Sequence, residues 1–268
     1  MSPPHPVLWH IRISNFSEKA RWALDLKGVA HRRRAVPPGV HMAVCLALTR
    51  RVVTVPVLQL DDLAIGDSHR IIAALEQRYP DPPLYPEAAA ERAQALGLEA
   101  FLDEHLGPHV RRYAFSEVFH DDAIFARHLR QMVVPPLATA ATSAAPALKA
   151  MMRRRYAIDD DAGQRSLQQV RAVMHALEEL LGDREHLVGD RFTVADLTAA
   201  ALLAPLLVPP GLPYRDPDEP MPARMREVVE ELRDRPAGRW VARTYARHRP
   251  RSAEDPAAAP EGPAASGR

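Results

Sequence analysis

Alternation opens the chain. Val7, Trp9, Ile11 and Ile13 occupy every second position against Leu8, His10 and Arg12, the period-2 pattern of a strand with one strongly apolar face. From Ser17 the spacing becomes helical: Ala20, Ala23, Leu24 and Lys27 follow, Ser14, Asn15 and Ser17 offer capping oxygens, and Gly28 supplies a stop. Residues 29–36 predict a second, arginine-bearing strand, which Pro37-Pro38-Gly39 breaks before a less regular, helix-compatible stretch to Leu48. Residues 56–60 and 63–66 flank Asp61-Asp62 and predict a β-hairpin. Asp67-Ser68 then opens a helix whose apolar face is Ile71, Ile72, Leu75 and Tyr79, and Pro80 with Asp81-Pro82-Pro83 ends it. Residues 5–80 therefore spell β-α-β-(α)-β-β-α.

Past this linker the spacing is helical throughout. Helices are predicted over 87–106, interrupted at Gly107-Pro108 and resuming to Phe119, then over 123–134, 162–181, 223–232 and 239–247. Residues 135–146, rich in Pro, Ala, Thr and Ser, predict a loop. The clearest cap is Phe192-Thr193-Val194-Ala195-Asp196-Leu197, with Thr193 as N-cap, Asp196 as its reciprocal acceptor at N3, and Phe192 and Leu197 placed as a hydrophobic staple. Residues 197–208 form the longest apolar run. It is shorter than the roughly 20 residues of a membrane span and contains Pro205, so it predicts a buried core helix. The expected organisation is an α/β domain at 5–81, an all-helical domain at 87–249 and a disordered tail at 250–268, where Pro, Ala, Gly, Ser and charge predominate.

Composition narrows the function classes. With 268 residues, 47% hydrophobic, and Lys+Arg 35 against Asp+Glu 34, the chain is globular and near neutral, which removes the whole-chain electrostatic case for nucleic-acid binding. The arginine triplets at 32–34 and 153–155 lack the interleaved aromatics of a single-strand binder and read as solvated faces. The single cysteine, Cys45, forms neither an internal disulfide nor a CxxC pair, which suits a reducing cytoplasm. The opening residues carry no basic leader with an apolar run, so no secretory signal or membrane partner is expected. His105 and His109 have the spacing of a helical metal pair, but Gly107-Pro108 lies between them and no metal is expected.

Four motifs, in order, carry a resemblance. Ser14-Asn15-Phe16-Ser17-Glu18-Lys19-Ala20-Arg21 resembles the segment where serine- and cysteine-type members of the cytosolic glutathione S-transferase superfamily place the catalytic side chain. Thr54-Val55-Pro56 resembles the segment with the family's cis-proline, Asp67-Ser68 its acidic-serine pair before the third helix, and the Thr193 box its folding signature. The resemblance spans residues 7–207 and implies a thioredoxin-like N-terminal domain followed by a helical bundle. It also implies a homodimer, glutathione as co-substrate with no metal, and detoxification of a small electrophile in the cytoplasm.

The site residues follow from that likeness. A thiol with a pKa near ~8.5 needs its anion stabilised at neutral pH, and a hydroxyl at a helix N-terminus supplies both a hydrogen bond and partial positive charge. Ser14 is the expected catalytic residue, and Phe16 belongs to its segment. Val55 and Pro56 would present backbone to the extended tripeptide, Asp67 and Ser68 would take its γ-glutamyl end, and Arg51, chosen over His41 and Arg50, its glycyl carboxylate. Tyr113 and Tyr156, with Phe115, are candidate walls of the electrophile pocket. Two other readings remain: a non-catalytic binding or scaffold protein on the same fold, and a glutathione-dependent isomerase or lyase using the same thiolate.

Overall fold

The computed structural model describes residues 5–132, 142–215 and 220–255. β1 (Val7–His10) pairs in parallel with β2 (Arg32–Ala35) and antiparallel with β3 (Val57–Leu60), which pairs antiparallel with β4 (Leu63–Gly66); the order is β2-β1-β3-β4. α1 (Asn15–Leu26) crosses over between the parallel strands, α2 (Val40–Thr49) lies between β2 and β3, and α3 (Ser68–Arg78) follows the hairpin. Leu8, Val57 and Leu58 from the sheet and Trp22, Leu24, Ile71 and Ile72 from the helices are fully buried. The thioredoxin-like arrangement expected from the order of patterns is present.

The second domain comprises α4 (Ala89–His105), α5 (Gly107–Val118), α6 (Asp122–Met132), α7 (Ala145–Tyr156), α8 (Asp160–Leu181), α9 (Val194–Leu207), α10 (Ala223–Asp234) and α11 (Pro236–His248). Every residue of α9 except Pro205 is buried, so this helix is the axis around which the domain packs and the face against which α1 docks. Its cap is complete: Asp196 carboxylate oxygens accept from Leu187 N at 2.8 Å, Thr193 N at 2.8 Å and Thr193 Oγ1 at 3.1 Å, while Thr193 Oγ1 accepts from Ala195 N.

Three differences from the sequence pattern matter. α7 begins inside the stretch expected to be loop, with Pro146 in its first turn, where a missing N–H costs nothing. The break at Gly107-Pro108 is a corner between two helices, tight enough that Phe16 would meet a Cβ built on Gly107 at 2.5 Å. Residues 250–255, expected within the disordered tail, lie against the sheet domain: Ala253 N donates to Asp25 at 2.8 Å, Asp255 N donates to the His31 carbonyl at 3.0 Å, and Glu254 bridges His31. The rest of that tail, the expected loop at 135–141, positions 133–134 of the expected sixth helix and residues 216–219 lie outside the described residues. Among the described residues, no helix is long and apolar enough to cross a membrane.

Candidate functional site

Ser14 sits at the turn between β1 and α1. It is the N-cap of that helix, and its Oγ accepts from Ser17 N at 3.2 Å, leaving the hydroxyl proton for another acceptor. The rival hydroxyl, Ser17, is fully buried and accepts from Ile11 N at 3.4 Å, so it braces the turn.

The turn is held from two directions. Arg21, 1% exposed, donates to the Ile11 and Arg12 carbonyls at 3.4 and 3.1 Å, pairs with Glu18 at 2.8 Å and approaches His10 Nδ1 at 2.9 Å. Burial, reinforced by Arg21, drives the His10 pKa well below its ordinary value, so the ring stays neutral and can accept from that guanidinium. Asn15 donates through Nδ2 to the Gly107 carbonyl at 3.0 Å and the Leu202 carbonyl at 3.5 Å, while its Oδ1 accepts from Phe16 N. One side chain thus ties the turn to α5 and α9 of the other domain. The sequence offered no local signal for that role. For Arg21 there was one, its place in the segment 14–21, but periodicity is silent about a cation reaching back to carbonyls.

Ser14 opens into a cavity of about 390 Å³ between the domains. From the sheet domain the wall includes Ile11, Ile13, Thr54 and Val55, with Gly39, His41 and Met42 at the start of α2. Phe16 and Tyr156 also line it. Six of the chain's eight methionines contribute, Met42, Met132, Met151, Met152, Met221 and Met225, giving an apolar surface of adaptable shape. The helix missed from sequence, α7, supplies two of these and Tyr156.

The other expected residues are spread more widely. Val55-Pro56 is a cis peptide, with Val55 on the cavity wall and Pro56 buried outside the lining. Asp67, at φ 80°, caps α3 through His69 N and lines a separate cleft shared with Phe16 and with Glu99 and Asp103 of α4. Ser68 is 1% exposed and its hydroxyl has no hydrogen-bond partner among the described residues. Arg51 is exposed and outside the cavity, whereas His41 is on its wall at 7% exposure. Tyr113 is core, 1% exposed, and lies outside the lining.

Several other features are structural. Arg33 pairs with Asp25 at 2.6 Å and Arg34 lies over Trp9, so two arginines of the basic strand are engaged within the domain. His109 bonds Ser166 while His105 packs on Phe101. Cys45 is fully buried, and desolvation pushes its thiol up to about 11. Alkylation by iodoacetamide at pH 8, followed by mass spectrometry, is expected to run about a hundredfold or more slower than for free cysteine, because so little thiolate is present. Modification at the free-cysteine rate would show that α2 opens readily.

With the geometry in place, comparison with known proteins is direct. The family model for the glutathione S-transferase N-terminal domain matches residues 8–83, and that for the C-terminal domain matches residues 140–213. The chain belongs to the cytosolic glutathione S-transferase superfamily. A glutathione S-transferase from Triticum aestivum is 33% identical over 87 residues, which is 32% of this chain and 40% of that relative. Among solved structures, a glutathione S-transferase from Rhodospirillum rubrum F11 is 24% identical, covering 88% of this chain and 91% of its own, with a TM-score of 0.55. A bacterial maleyl pyruvate isomerase of the zeta class is 23% identical, covering 89% and 97%, with a TM-score of 0.54. At these identities the solved structures establish the fold.

Proposed function

We propose that this protein binds glutathione against the sheet domain and uses Ser14 to hold its sulfur as thiolate for attack on a small electrophile in the interdomain cavity. The observation that carries the reading is the Ser14 hydroxyl, set at the N-terminus of α1 and opening into that cavity. Its Oγ already accepts from Ser17 N, so its own proton is the one to donate to sulfur, and the α1 N-terminus adds partial positive charge. The thiol proton leaves to solvent, the sulfur lone pair forms the carbon–sulfur bond, and either a leaving group departs with its electron pair or the adduct takes up a proton.

The rest of the site follows the peptide. Val55 offers its backbone N–H and C=O to the cysteinyl unit. The buried, unpartnered Ser68 hydroxyl and the α3 N-terminus suit the γ-glutamyl carboxylate, with Asp67 directed to the amine. His41 is better positioned than Arg51 for the glycyl end, since it lies on the wall where Arg51 does not. A homodimer in the cytoplasm belongs to the same reading. An isomerase would use the same thiolate, adding it to a double bond and expelling it after rotation; the bacterial isomerase among the solved neighbours supports keeping that branch. Product analysis separates the two.

Calorimetric titration of glutathione into wild type and Ser14→Ala, with ultraviolet thiolate absorbance recorded in parallel, tests the proposal. Wild type is expected to bind and to show thiolate at pH 7. Ser14→Ala should bind within a few-fold, with the thiol pKa raised by about one to two units, the worth of one hydrogen bond to a charged group. Absence of binding at millimolar glutathione would instead leave a scaffold on this fold.

A further inference from the structure

The cavity wall has an unusual charge balance. Arg111, Arg112, Arg155 and Arg215 line it together with His41 and His128, and among the described residues no aspartate or glutamate does. Arg112 is held in place, donating to the Tyr156 carbonyl at 3.0 Å and to Ser166 Oγ at 3.3 Å.

Arg111 differs. Its guanidinium lies over the Tyr156 ring at 4.5 Å, and its Nε is shut off from solvent with no hydrogen-bond partner among the described residues. Arg111 as a whole is half-buried, so the rest of the fork can still meet a ligand, and a closed-off Nε is costly unless some other group completes it. Desolvation lowers its pKa, and Arg112 and Arg155 push in the same direction, yet arginine stays charged at neutral pH. The planar ring beneath it fixes the plane of the fork, and a planar fork matches a carboxylate or sulfonate. Around it, Val110, Phe115, Met151, Met152 and Met225 provide an apolar bed.

We propose that Arg111 is the anion-recognition residue of the cavity and that the second substrate is an amphipathic anion, an apolar body bearing a carboxylate or sulfonate. This rests on the reading that Ser14 activates glutathione in the same cavity, and it names the class of molecule that sulfur would meet. Glutathione carries carboxylates of its own, so the test must tell the two sources apart.

Fluorescence titration with 8-anilinonaphthalene-1-sulfonate and its uncharged parent, N-phenyl-1-naphthylamine, does so on the full chain without glutathione. Arg111→Met is expected to weaken the sulfonate by about 10- to 100-fold, the worth of charge-assisted hydrogen bonds. It should leave the uncharged probe within twofold, and Arg111→Lys should fall between. Ser14→Ala is expected to leave both probes unchanged, and glutathione affinity measured by calorimetry should be the same in Arg111→Met as in wild type. Equal loss of both probes, or no loss of either, overturns the assignment. So does a loss confined to glutathione, which would place a glutathione carboxylate at Arg111. Sulfonate recognition that depends on Arg111 in a protein that gives no heat with glutathione would preserve the anion site and sink the thiolate reading instead.

Discussion

Replacing Lys19 by methionine is expected to lower stability by about 3–5 kcal/mol, the cost of breaking a buried ion pair from one side, and to reduce the melting temperature by about 10 °C. Lys19 is fully buried in α1, where its Nζ donates to both Asp103 oxygens at 2.8 and 2.7 Å and stands 2.9 Å from Glu99 Oε1. Both carboxylates belong to α4, so one ammonium holds the two domains at the seam. Methionine matches its length but leaves two carboxylates, one turn apart, facing each other without a cation. Burial already raises the Asp103 pKa while Lys19 opposes it, and removing Lys19 leaves burial unopposed. A folded-state pKa above the unfolded value favours folding below it, and that advantage disappears as pH rises through it. The defect should therefore be larger at pH 8 than at pH 5, and Glu99→Gln added to Lys19→Met should recover part of it. Denaturant melts of the three proteins at both pH values decide the matter; a pH-independent loss would mean that Lys19 contributes packing alone.

Asp196→Ala is expected to cost a similar amount, about 3–5 kcal/mol, because it orphans buried donors rather than removing a contact. Leu187 N, Thr193 N and Thr193 Oγ1 all converge on that carboxylate, which is 0% exposed. Thr193→Ala removes only the forward half of the cap and should cost about 1 kcal/mol. Asp196→Asn keeps one acceptor oxygen but turns an amide donor toward other donors, so it should fall between them. Urea unfolding of the three variants checks the order, and equal losses for Thr193→Ala and Asp196→Ala would refute the role given to the carboxylate.

These two sites differ in how visible they were beforehand. The Asp196 box is a contiguous phrase, Thr193 to Asp196, and its geometry follows from one turn of helix. The same is true of β1, α3 and the hairpin, whose signals lie within a few residues of one another. Lys19 and Arg21 were visible only as members of a familiar segment, and their partners lie 84 residues along the chain or on backbone carbonyls. Asn15 looked like a weaker version of a proline turn, yet it joins the turn to Gly107 and Leu202. α7 was lost for a compositional reason, since alanine and an N-terminal proline read as loop when no long apolar stripe accompanies them. That omission concealed Met151 and Met152 and left Arg155 within a triplet read as solvated, although Tyr156 was already an expected wall of the cavity. The position of Ser14 at a helix N-terminus was legible because that signal is local; the position of Arg111 was not, because nothing in a helix pattern reveals which cation will face a cavity that carries no carboxylate among the described residues.

The return of residues 249–255 to the sheet domain bears on the order in which the molecule can be finished. Arg249 donates to Glu18 at 2.7 Å and to Asp25 at 2.8 Å, closing contacts across 231 and 224 positions of sequence. During synthesis the first domain leaves the ribosome with Glu18 and Asp25 paired only to its own Arg21 and Arg33, and it must wait for nearly the whole helical domain to be made before Arg249 joins both pairs. The N-terminal unit therefore reaches its final electrostatic state only after translation has passed residue 249, which makes the two domains successive in synthesis but simultaneous in completion.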